Sequence, residues 1–183
     1  MTRVPLDDTL LAIYLNDHLA GATAGVELAR RLAGEDHNTI GGQTMRRLSE
    51  EIADDRGALL KTMAALDVPV RRYKTWLAWA GEKAGRLKPN GRVLSRSPLS
   101  RVVELEMLTL GVEGKAAAWR TLRARAASDS RLDADRFARL LERARRQADD
   151  LERLREWAAT EAFGGDADTP SAGRESAGQD AQA

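Results

Sequence analysis

The chain contains no cysteine, which excludes disulfide bonds and thiolate chemistry. Aromatic residues are also scarce and make up only 4% of the 183 residues. Ala, Leu and Arg are the most frequent residues instead. Because unbranched side chains lose little rotamer freedom in a helix, this composition favours helix over strand. We therefore expect an all-α protein.

The chain also lacks an excess of either charge, since it contains 29 basic and 28 acidic residues. The net charge of +1 gives no global attraction to nucleic acid or to a membrane. The most apolar early stretch, residues 10–26, carries Asp17 and His18 in its middle and is too short and polar to be a transmembrane segment. The N-terminal residues lack the charged-then-apolar pattern of a signal peptide. A cytoplasmic location is the default expectation.

Several functional motifs are missing from the sequence. It shows no phosphate-binding loop, nucleophile triad, zinc-spaced Cys/His set or internal repeat. It also shows no clear nucleic-acid-binding motif. The sequence therefore assigns no catalytic residue, and it leaves open whether the protein is an enzyme.

Helical periodicity is present in four long segments. Short links after the first and third segments predict two antiparallel hairpins. A helix of about 25 residues is roughly 38 Å long, and the long link between the second and third segments can return along that whole length. This predicts a four-helix bundle of the ferritin-like type with a long, partly helical crossover. The predicted helices cover about 8–33, 42–66, 98–126 and 133–163, with the crossover at 67–97.

The predicted domain organisation follows from these segments. Residues 1–163 would form one helical-bundle domain. Residues 164–183 are mostly Gly, Ala, Ser, Asp and Gln with one Pro, and they have almost nothing to bury. We expect them to form a disordered tail.

Residues at alternating spacings of three and four mark the core-facing side of each predicted helix. In the first two helices these residues are Leu11, Leu15, His18, Ala22, Gly25, Ala29 and Leu32, and Met45, Leu48, Ile52, Asp55, Leu59, Thr62 and Leu66. In the fourth helix they are Leu140, Ala144, Gln147, Leu151, Leu154 and Ala158. The third helix has two neighbouring stripes, which are Val102, Leu105, Thr109, Val112, Ala116 and Trp119, and Leu99, Val103, Glu106, Leu110, Glu113 and Ala117.

Each predicted helix carries a polar residue near the middle of its core-facing positions, and these residues are His18, Asp55, Glu113 and Gln147. Antiparallel helices would bring these residues to one height in the bundle. Buried carboxylates cost several kcal/mol each unless they are paired or hold a metal. One explanation is an iron, manganese or zinc site, and the other is a closed network in which a protonated His18 or an inward-facing Arg56, Arg143 or Arg146 pairs with a carboxylate. The candidate metal ligands are His18, Asp55, Glu113, Glu106, Glu51 and Gln147.

Small residues accompany this predicted layer. Ala22, Gly25 and Ala29 follow His18 along the core-facing side of the first helix, and Gly111 and Gly114 flank Glu113. Glycine in a helix interior costs about 0.5–1 kcal/mol relative to Ala. Close approach of a neighbouring helix is the expected reason for these residues, and access to Glu113 is the alternative.

The helix pattern, the long crossover and the central polar layer resemble the ferritin-like superfamily. The segments Tyr14-Leu-Asn-Asp-His-Leu-Ala-Gly-Ala-Thr-Ala-Gly25 and Glu104-Leu-Glu-Met-Leu-Thr-Leu-Gly-Val-Glu-Gly-Lys115 resemble bacterial members of that group. The resemblance covers residues 8–163 and implies that the bundle pairs as a homodimer. Di-iron members use two Glu-x-x-His motifs, and this chain has none. The comparison therefore favours a bundle whose metal site is altered or lost.

The crossover is strongly basic, with nine Arg or Lys residues and one acid, Glu82, between Arg71 and Arg101. Its apolar residues fall on one helical face. Such a helix either packs its apolar face on the bundle or binds an anionic membrane, nucleic acid or protein surface. The candidate anion- or partner-binding residues are Arg71, Arg72, Lys74, Trp76, Lys83 and Arg86.

Three hypotheses about function follow. The first is a structural or interaction role for a bundle with a hydrogen-bonded polar layer. The second is a metal-binding, redox-type protein that uses iron or manganese in that layer. The third is a binding module that presents the basic crossover to an anionic partner.

Overall fold

A computed structural model of the chain describes residues 6–35, 40–71 and 98–164. The described residues form four long α-helices and no strand, which confirms an all-α four-helix architecture. The helix bounds differ from the predicted ones by at most two residues. The helices are α1 (Leu6–Ala33), α2 (Ile40–Ala65), α3 (Pro98–Arg125) and α4 (Ala134–Phe163).

Long-range ion pairs define the helix directions. Asp8 at the start of α1 lies 3.4 Å from Arg125 at the end of α3, and Arg31 at the end of α1 lies 2.9 Å from Glu104 near the start of α3. α1 and α3 are therefore antiparallel. Because the short α1–α2 connection makes those two helices antiparallel as well, α2 and α3 run in the same direction.

The packing order follows from these directions. α1 packs against α2 and α3, and α4 packs against the same two helices. With α1 taken as running up, α2 and α3 run down and α4 runs up. The end of α2 and the start of α3 consequently lie at opposite ends of the bundle.

The chain reverses direction immediately after α2. Asp67 has a φ of 55°, which is the left-handed conformation typical of helix ends. The buried Asn16 then donates to the Pro69 carbonyl (3.1 Å) and accepts from the Arg71 backbone N–H (2.7 Å). Residues 69–71 therefore lie beside the middle of α1 and no longer continue along the α2 axis.

The core confirms two of the predicted helix faces in full. The polar members Asp55 and Thr62 of α2 and Gln147 of α4 are buried along with the apolar ones. The buried residues on these faces are Met45, Leu48, Ile52, Asp55, Leu59, Thr62 and Leu66 of the α2 segment and Leu140, Ala144, Gln147, Leu151, Leu154 and Ala158 of α4.

The second apolar stripe predicted on α3 is wrong. Leu110 in that stripe is 72% exposed and Leu99 is 49% exposed, and Glu106 and Glu113 are also exposed. α3 packs against α1 and α4 through its other stripe, which contains the fully buried Trp119. One helix face is enough for these two contacts, so the remaining leucines of α3 stay at the surface.

No helix in the described ranges is long and apolar enough to cross a membrane.

Candidate functional site

Three of the predicted polar residues meet between α2 and α4. Glu51 and Asp55 lie one turn apart on α2 and face Gln147 on α4. The Gln147 Nε2 donates to Glu51 Oε2 at 3.0 Å and to Asp55 Oδ2 at 3.2 Å. Asp55 is 1% exposed and Gln147 is fully buried. Of the four residues predicted to share one layer, His18, Asp55, Glu113 and Gln147, only Asp55 and Gln147 are in contact.

Two basic side chains complete the group. The Arg143 guanidinium on α4 donates to Asp55 Oδ1 through Nε (3.0 Å) and through Nη2. The Lys115 ammonium on α3 donates to Asp55 Oδ2 (2.6 Å) and to the Gln147 side-chain carbonyl. Both carboxylate oxygens of Asp55 are therefore occupied, and the network joins α2, α3 and α4.

Burial sets the electrostatics of this network. It lowers the pKa of Lys115 from its ordinary value, and the nearby Arg143 lowers it further. The charge of Asp55 and its hydrogen bond act in the opposite direction. An uncompensated buried charge costs several kcal/mol, so the contacts to Asp55 are what allow Lys115 and Arg143 to remain in the interior.

Glu113, Glu106 and His18 do not join the network. Glu113 and Glu106 are on the exposed side of α3, because the α3 face that packs is the one bearing Val112, Ala116 and Trp119. His18 is partly buried on α1, where its ring meets Tyr14 edge-to-face at 4.4 Å. Burial lowers the pKa of His18, and Asp17 partly opposes the shift.

The buried polar residues do not fit an iron or manganese ion. Such an ion needs carboxylate oxygens that are free to bind it, whereas Asp55 accepts from two cations and one amide. Lys115 and Arg143 would also repel a metal at this position. Within residues 6–35, 40–71 and 98–164, no group of three or more His, Asp or Glu side chains is placed to hold a metal.

A cavity of about 170 Å³ lies next to the network between α1, α2 and α3 and is partly open to solvent. Its wall is largely apolar. Asp55 and Lys115 of the network line it, and so do His18 and Arg56. The other lining residues are Gly21, Ala22, Gly25, Ile52, Leu59, Leu108, Gly111, Val112, Gly114, Ala118 and Trp119.

Glycines keep this cavity open. A Cβ atom built at Gly21, Gly25, Gly111 or Gly114 would meet no heavy atom within 4 Å. The prediction that Gly25, Gly111 and Gly114 allow close helix approach is therefore wrong. The missing side chains leave open space at these positions instead.

Trp119 lines the cavity and stacks on Phe137 of α4, with ring centroids 6.0 Å apart. It is 1% exposed, and its Nε1 donor is buried without an acceptor in the described part of the chain. Buried donors are nearly always hydrogen-bonded in folded proteins. Trp119 thus lines the cavity and carries a buried donor that has no acceptor among the described residues.

Sequence reasoning did not single out Lys115, Trp119 or Asn16 as functional residues. A signal for Lys115 existed, because it is three residues after the buried Val112 and four before Trp119 on the packed side of α3. No pattern in the sequence predicts that Trp119 Nε1 lacks an acceptor, because the position of an acceptor depends on residues from other helices.

The predicted partner-binding residues lie mainly in the crossover. Arg71 is exposed, and its backbone N–H is bonded to Asn16. Arg72, Lys74, Trp76, Lys83 and Arg86 are outside the described residues. So is most of the predicted tail.

Comparison of the chain with protein-family models, with curated proteins and with solved structures gives no match. The functional conclusion therefore depends on the geometry of the cavity and its adjoining network.

Proposed function

We propose that this protein binds a small, largely apolar organic molecule in the cavity between α1, α2 and α3. The observation that carries the proposal is the buried Trp119 Nε1 donor, which belongs to a cavity-lining residue and has no acceptor among the described residues. A ligand oxygen or nitrogen would accept this hydrogen bond. Binding pockets commonly combine apolar walls with a few such polar groups.

The size of the cavity supports this class of ligand. At about 170 Å³ it is close to an engineered apolar cavity of roughly 150 Å³ that binds benzene. A single ring or a short aliphatic chain with one polar group matches this volume. Drug-sized ligands need larger pockets, of about 300–1,000 Å³.

The glycines in the cavity wall also support the proposal that a small ligand binds there. Each helical glycine costs about 0.5–1 kcal/mol relative to Ala, and packing gives no compensation at Gly21, Gly25, Gly111 or Gly114, since a Cβ would fit at each. A ligand that occupies the space explains why side chains are absent there.

The indole N–H of Trp119 provides a direct test. In a ¹H–¹⁵N spectrum its resonance can be assigned by its disappearance in Trp119→Phe. Titration with benzamide should shift this resonance, because the amide oxygen accepts the hydrogen bond. Trp157 is 51% exposed and is not part of the cavity wall, so its indole resonance should stay in place.

A pair of glycine variants controls for the location of binding. Gly114→Leu fills the cavity and should weaken benzamide binding at least about tenfold. Gly57→Leu has equal room for a Cβ, but Gly57 does not line the cavity, so binding should be retained. If Trp119 does not respond, or if Gly114→Leu binds as well as the natural chain, the proposal is wrong.

We also infer that the bundle is a ferritin-like one. The parallel α2 and α3, joined by a long link, support this inference because such folds have one long crossover. Binding of an anionic partner by the crossover, homodimer formation and a cytoplasmic location remain predictions. Salt-sensitive binding that is lost when Arg71, Arg72 and Lys74 are neutralised would support the first of these.

A further inference from the structure

Arg56 is a half-buried cation in the cavity wall that has no ion pair among the described residues. It follows Asp55 on α2 and lines the cavity. Its Nε donates to the Thr23 hydroxyl on α1 at 3.0 Å. In the described ranges no carboxylate lies within ion-pairing distance of it. A neutral hydroxyl positions the guanidinium without neutralising it.

The other titratable side chains in the cavity wall either have a partner of opposite charge or favour the neutral form. Asp55 is engaged by Arg143 and Lys115. His18 lines the wall, but its burial favours the neutral form. Two cations, Arg56 and Lys115, and one carboxylate, Asp55, therefore line the cavity, which leaves one positive charge.

Arg56 also has the geometry to bind an anion. Only its Nε is used by Thr23, so the N–H groups of its terminal amino groups have no partner in the described part of the chain. Guanidinium groups bind carboxylates through two parallel hydrogen bonds, and these bonds are stronger than neutral ones. The apolar wall would hold the rest of the molecule.

From this geometry we infer that the ligand is a small organic monocarboxylate whose carboxylate is bound by Arg56 and whose apolar part fills the space left by the glycines. The inference rests on the proposed function, because it specifies the ligand of the same cavity. Benzoate and hexanoate are probes of suitable size and chemistry.

Matched acids and amides test the charge directly. Calorimetric titrations at one fixed ionic strength would compare benzoate with benzamide and hexanoate with hexanamide. Each carboxylate should bind at least about tenfold more tightly than its amide, because a charge-assisted hydrogen bond outweighs a neutral one. Added salt should weaken carboxylate binding more than amide binding.

Variants of Arg56 assign the preference to this residue. Arg56→Gln should reduce the preference for acid over amide to near unity while amide binding persists, and Arg56→Lys should restore part of it. Arg30→Gln removes an equal charge from the exposed side of α1 and should change neither affinity. Circular dichroism confirms that each variant is folded.

The outcomes separate the two proposals. Equal binding of acid and amide by the natural chain, or a preference that persists in Arg56→Gln, would overturn the carboxylate inference and leave a neutral ligand in the cavity. If none of the four probes binds, the proposed function itself fails, and the carboxylate inference fails with it.

Discussion

Asp55 connects three helices through one side chain. It accepts from Arg143 and Gln147 of α4 and from Lys115 of α3 while it lies on α2. Buried ion pairs add little stability compared with apolar packing, but the loss of one partner is costly. The stability of the bundle should therefore be unusually sensitive to substitution at this residue.

Asp55→Asn should lower the free energy of unfolding by about 3 kcal/mol or more, because Lys115 and Arg143 would lose the carboxylate that both contact directly. Urea unfolding measures the change. Asp54→Asn is the matched control, since Asp54 is the exposed neighbour on the same helix and should change stability by less than about 0.5 kcal/mol. Similar values for the two variants would contradict the structural role of Asp55.

At the scale of the element, the C-terminus of α2 depends on an unusual cap. The Val68 N–H donates to the Met63 carbonyl at 2.9 Å and the Asp67 N–H to the Ala64 carbonyl at 3.2 Å, which is a Schellman motif. The residue in the left-handed conformation is Asp67, where glycine is usual. This cap ends α2 where the chain turns back beside α1.

Asp67→Gly should raise the free energy of unfolding by up to about 1 kcal/mol, because glycine adopts a positive φ without steric cost. The greater freedom of glycine in the unfolded chain offsets part of the gain. Asp67→Ala should instead lower stability, since Ala lacks the local hydrogen bonding that helps Asp in this conformation. Urea midpoints would give both values, and a more stable Ala variant would contradict this account of the cap.

The elements also show which helix faces can be predicted. α2 and α4 have one continuous stripe of core residues each, and the prediction included Asp55 and Gln147 correctly. α3 has two predicted stripes, of which only one is buried. Periodicity gives the spacing of a helix face, whereas the choice between two equivalent faces depends on where the neighbouring helices lie.

At the scale of the whole molecule, the buried network couples folding to pH. The folded state disfavours the charged form of Lys115, so its pKa is lower than the ordinary value of 10.5 that applies in the unfolded chain. Between the lowered pKa and 10.5 the unfolded chain binds more protons, and stability contributed by this residue therefore rises with pH.

The natural chain should consequently gain stability relative to Lys115→Met as pH increases from neutral towards about 10.5. Urea unfolding at several pH values measures the difference between the two proteins. Lys61→Met serves as the control, since Lys61 is exposed on α2 and its difference from the natural chain should be flat over the same range. A constant or falling difference for Lys115→Met would contradict the role of burial.

Sequence alone determined the helices and much of the core. Residue composition, capping residues and apolar periodicity are local properties, and they sufficed for four helices and for the buried faces of α2 and α4. The length of the α2–α3 link also made two parallel helices possible.

Only the tertiary structure decided the site. The distances between helices decide three features of the site. They decide whether Glu113 faces a core or solvent, whether a glycine brings helices together or leaves a cavity, and whether Trp119 finds an acceptor. Those distances result from packing of many side chains at once, which no single segment specifies. The cavity between α1, α2 and α3 exists because of that packing, and so does the contact of Arg56 with Thr23 in its wall.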